Sequence, residues 1–122
     1  MQCVIGIGGL FFRAKKPAAL AEWYRDNLGI EFAPADYGQK PWTQTAGPTV
    51  FAPFPEESDF FNNAEKRWMI NFRVRDLDAM VAQFRVARID VSVDQNIYPN
   101  GRFARLHDPE GNPIELWEPK QT

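Results

Sequence analysis

Two periods of hydrophobic spacing alternate along this chain. Near the C-terminus the spacing is two: Ala104 and Leu106, then Ile114 and Leu116, are apolar on one side of their segments, with Phe103, Arg105, Glu115 and Trp117 on the other. This predicts strands over 102–107 and 113–118. Between them Asp108 can accept local backbone N–H groups, Pro109 presets φ, and Gly111 and Asn112 tolerate positive φ, so a tight turn is expected. Elsewhere the spacing is helical. Pro17 opens a segment with Leu20, Tyr24 and Leu28 on one stripe and Gly29 placed to end it. Asp76 is a candidate N-cap for a second helix over 77–87. Further strands are expected over 5–13, 30–33, 42–45 and 49–52 in the first half, and over 69–74 and 91–93 in the second.

Residues 9–25 laid over 69–85 at an offset of 60 pair Phe12 with Phe72, Arg13 with Arg73, Ala19 with Ala79 and Arg25 with Arg85. The match indicates a duplicated strand-helix unit. Units over 3–53 and 67–119, joined by a linker over 54–66 that could act as a flap, would make the 122 residues one α+β domain.

If Leu10, Phe12, Ile70, Phe72, Ala104, Leu106, Ile114 and Leu116 pack under the helices, the opposite faces carry the candidate site. These are Phe11 and Arg13 from the first half; Met69, Asn71 and Arg73; then Phe103, Arg105, Glu115 and Trp117. Aromatic walls with a few polar groups suit a small-molecule cleft, and Arg13, Arg73 and Arg105 suit a carboxylate or phosphate. A dimer surface would have a similar composition.

The formal net charge of −2 disfavours nucleic acid or an anionic membrane as partner. No run of 18 apolar residues and no leader pattern is present, so a soluble cytoplasmic protein is expected. Cys3, the single cysteine, excludes an intrachain disulfide and is expected to be a packed thiol.

Asp108-Pro109-Glu110-Gly111-Asn112-Pro113-Ile114-Glu115-Leu116 resembles the terminal strand motif of the glyoxalase/bleomycin-resistance/extradiol-dioxygenase family, the vicinal oxygen chelate superfamily. Residues 12–14 with 22–30, and Phe72 to Ala79, resemble the openings of its two halves. The resemblance implies two βαβββ units, curved sheets enclosing a cleft, and pairing of units between the chains of a homodimer. It also implies four metal ligands, two per unit. The matching positions here are Gly9, Met69 and Glu115, and the fourth falls within 47–53, which holds no Asp, Glu or His. A divalent ion needs three or more protein ligands to be held against water, so no metal or other cofactor and no metal-dependent glyoxalase I activity is expected.

Three functions remain open. A metal-free protein could bind a small anionic molecule. A lyase or isomerase, lactoylglutathione lyase-like by family, could use Glu115 as a general base. An interaction domain could retain the fold with a decayed site.

Overall fold

The computed structural model describes residues Met1–Gln121. Helix α1 spans Pro17–Leu28, and Gly29 closes it in the left-handed conformation at φ 71°. Its N-cap, Lys16, offers no capping side chain. The Glu110 carboxylate does this from the far end of the chain, accepting from the Lys15 N–H at 2.6 Å and the Lys16 N–H at 3.1 Å. A negative group placed there also complements the helix dipole. Helix α2 covers Leu77–Val86, with the Asp76 side chain accepting from the Ala79 N–H at 3.0 Å, the cap expected from the sequence.

The strands are β1 (Ile70–Arg73), β2 (Ser92–Val93), β3 (Gly101–His107) and β4 (Pro113–Pro119), in sheet order β1-β4-β3-β2. Strand β4 runs parallel to β1 and antiparallel to β3. Alternation assigned the faces of β3 and β4 correctly. Ala104, Leu106, Ile114 and Leu116 are buried with Leu77, Val81 and Phe84 of α2 and Leu20 and Tyr24 of α1. Burying each large apolar side chain contributes about 1.5–3 kcal/mol, so both helices are held to one face; the other carries no helix, though Trp117 on it is itself buried.

The first half differs from expectation. Its helix forms, and the two helices begin 60 residues apart, at Pro17 and Leu77. No strand forms over 5–13, 30–33, 42–45 or 49–52. Leu10, expected in the core, is 48% exposed; Phe12 is only partly covered, edge-on to Tyr24 and Trp68. Cys3 is exposed rather than packed. The physical reason is that strand propensity stabilises nothing without a ladder partner. The C-terminal strands find theirs in one another, and among the described residues the first-half segments find none.

Candidate functional site

The open face is organised by register. Asn71 on β1, Glu115 on β4 and Arg105 on β3 are direct cross-strand partners, forming a polar row across the sheet. Asn71 Nδ2 donates to Glu115 Oε1 at 2.8 Å, and Arg105 Nε and Nη2 approach Glu115 Oε2 at 3.4 Å. The Glu115 side chain is only 12% exposed. Both carboxylate oxygens therefore face donors.

Arg73, Trp117 and Phe103 form the adjacent row. The Trp117 and Phe103 rings lie nearly parallel, 5° apart with centroids 6.3 Å distant. Trp117 Nε1 donates to the Asn100 carbonyl at 2.8 Å, which fixes the indole. Arg73 donates to the Thr45 carbonyl at 3.0 Å. Its guanidinium lies where a Cβ on Gly47 would stand, so a glycine permits that close approach.

Phe11 and Arg13 are placed elsewhere. They line an open groove of about 580 Å³ with Phe12, Lys66, Trp68 and Asn112, and neither Glu115 nor Arg105 contributes to it. Met69 is half-buried beside the start of β1, and His107 pairs with Pro113 at the other end of the face.

Alternation could not find the 54–66 segment on this face. The Phe60 ring lies 3.8 Å from the Arg105 guanidinium carbon, and the Phe60 carbonyl accepts from Arg105 Nη1. The only sequence signal was the density of aromatic residues at Phe54, Phe60 and Phe61.

The turn that dominates the sequence motif is a structural clamp. Asp108 is 4% exposed and accepts from Tyr24 Oη and Asn112 Nδ2, each at 2.6 Å, and from the backbone N–H groups of Glu110 and Asn112. Gly111 takes the positive φ of 81°, while Asn112 contributes its side chain instead. Burial and the neighbouring Asp108 carboxylate push the Tyr24 phenol well above its ordinary value.

A sheet with one face under two helices and an open face bearing the terminal-motif glutamate matches a known family. The family model for the glyoxalase-like domain covers residues 9–117. The chain belongs to that family. The glyoxalase-like fold is shared with TnmS3, an antibiotic binding protein from Streptomyces sp. CB03234, at 22% identity over 98% of this chain and 100% of that one, with TM-score 0.62. A lactoylglutathione lyase from Agrobacterium tumefaciens is similar at 25% identity over 86% and 87%, with TM-score 0.53. A glyoxalase/bleomycin resistance protein from the same Streptomyces shows a local match, 33% identical over 40% of this chain and 42% of that one, with TM-score 0.37. Comparison with curated proteins returns no match.

The residues do not fit the metal of the vicinal oxygen chelate superfamily. Among the described residues no three His, Cys, Asp or Glu side chains come together as a metal-binding group. Glu115 is surrounded by donors, an amide and a guanidinium, rather than by further ligands. Among the described residues no helix is long and apolar enough to cross a membrane.

Proposed function

We propose that this glyoxalase-like protein binds a small anionic organic molecule with an apolar or aromatic body on the open face of its sheet, without a tightly held metal. The observation that carries this reading is the pair of adjacent rows, Asn71–Glu115–Arg105 and Arg73–Trp117–Phe103. Guanidinium donors lie beside a flat aromatic wall, a combination suited to an anionic group on a ring. Phe11 and Arg13, in the groove that neither Glu115 nor Arg105 lines, and Met69 are proposed as further contacts of the same molecule. TnmS3 is an antibiotic binding protein, and binding without chemistry is the activity proposed here by analogy.

The second reading is a lyase or isomerase with Glu115 as general base, favoured by the similarity to the Agrobacterium lactoylglutathione lyase. Asn71 and Arg105 weigh against it, because they already occupy acceptor positions on both Glu115 oxygens. The protein is also proposed to act as a cytoplasmic homodimer. Phe11 is 95% and Phe51 86% exposed, apolar area that a second copy would cover.

A thermal-shift screen of aromatic carboxylates and phosphates against matched neutral compounds tests the binding reading, since a ligand of the native state raises Tm. Anions should stabilise the protein, and Arg105→Ala should weaken a confirmed hit about ten- to hundredfold. Stabilisation by neutral or cationic compounds alone would overturn it. A sedimentation measurement at tens of micromolar tests the dimer, and a monomer there refutes it.

A further inference from the structure

The contacts of the 54–66 segment place part of the chain where the proposed ligand would bind. Phe60 gives Arg105 two things at once: a carbonyl oxygen for Nη1 and a ring face 3.8 Å from the guanidinium carbon. Phe54 stacks on Phe60 at 5.1 Å and lies 5.2 Å from Phe61, so three rings of one segment cluster over this edge of the face. The cluster is only partly covered, with Phe54 at 42% and Phe60 at 41% exposure. Beyond it, Asn62 adopts a positive φ of 57°, and Asn63 Nδ2 donates to the Gly111 carbonyl at 3.0 Å. The segment is therefore fastened at Asn63 to the rigid Asp108 turn, while its aromatic end rests on Arg105 through one hydrogen bond and one cation–π contact.

We propose that this segment is a displaceable plug, and that Phe60 marks the ligand that replaces it: an aromatic ring joined to a carboxylate through two carbons, the spacing of the Phe60 ring and carbonyl. Such a molecule repeats both Phe60 contacts and improves on one of them. A carboxylate oxygen forms a stronger, charge-assisted bond to Arg105 than a neutral carbonyl does. The ring can take the stacking position and extend toward Phe103 and Trp117. Glu115 remains on Nε and Nη2 throughout, keeping the guanidinium oriented. The proposal rests on the binding reading above and adds a ligand class and a competing internal segment.

The probe is 3-phenylpropionate, since two carbons separate its ring from its carboxylate as Cβ and Cα separate the Phe60 ring from its carbonyl; 3-cyclohexylpropionate is the non-aromatic control. Local hydrogen exchange of 54–66 reports the plug without any ligand, and peptides from α2 and the sheet report the fold in the same experiment. Arg105→Ala should accelerate exchange in 54–66 and leave the α2 and sheet peptides unchanged. 3-Phenylpropionate should do the same in the wild type, whereas the control should not. Phe60→Ala removes the competing ring and should tighten 3-phenylpropionate binding about five- to tenfold, because less of the protein is held closed. Unchanged exchange of 54–66 in Arg105→Ala overturns the plug. Weaker 3-phenylpropionate binding in Phe60→Ala also overturns it, since Phe60 would then be part of the ligand's wall, and the binding reading would survive. If exchange responds to Arg105→Ala but 3-phenylpropionate binds neither protein at millimolar concentration, the ligand class proposed here is overturned, and the thermal-shift screen alone decides the binding reading.

Discussion

Tyr24→Phe isolates one bond of the buried clamp and should do so with a pH signature. In the wild type the phenol donates to Asp108 Oδ2 at 2.6 Å with the ring 8% exposed. The substitution deletes one oxygen and leaves Asp108 its other three donors. A hydrogen bond to a charged group contributes about 1.5–3 kcal/mol. At roughly 3–5 °C per kcal/mol for a domain of this size, Tm at neutral pH should fall by about 5–15 °C. The ordinary phenol value is 10.0, and the folded value is raised above it by burial and by Asp108. Stability from this group is therefore fully present below pH 10 and lost above it, because only the unfolded chain releases the proton. Linkage gives a loss of about 1.4 kcal/mol between about pH 9 and pH 11. Urea denaturation across that interval, in wild type and Tyr24→Phe, is the assay. The two stabilities should converge by about that amount. Parallel curves would refute the buried hydrogen bond.

Glu110→Gln removes the charge that caps α1 through Lys15 and Lys16. Those backbone donors lower the Glu110 carboxyl below its ordinary 4.5, so its contribution is present above that value and lost as pH falls through the folded one. Acid melts of wild type and Glu110→Gln should therefore converge, and a constant gap would refute the cap. Leu116→Ala, at a position 0% exposed, should cost about 2–5 kcal/mol by chemical denaturation; a cost below 1 kcal/mol would mean the sheet does not pack on the helices as described. Dialysed wild-type protein should retain far less than one equivalent of zinc, nickel or manganese by elemental analysis. Stoichiometric metal lost in Glu115→Ala would refute the donor-set argument.

What the sequence determined by itself was the short-range pattern of the second half and the ends of both helices. The period of two over 102–107 and 113–118 put Leu106 and Leu116 under the helices and Arg105 and Glu115 on the opposite face, because a pleated strand leaves no other choice. Pro17, Gly29 and Asp76 marked helix ends because capping is local chemistry. The absence of metal-ligand residue types at Gly9 and within 47–53 was also legible, since a missing donor is missing in any fold. Tertiary structure decided the rest. The strand-like first-half segments remained unpaired because a ladder depends on a partner that propensity cannot supply. Glu110 became the cap of a helix more than 80 residues earlier in the chain, and Asp108 drew in Tyr24, through contacts no local window contains. Phe60 reached Arg105 for the same reason. Its composition showed an aromatic linker, but only the folded chain brought that ring and carbonyl onto a charged side chain 45 residues away.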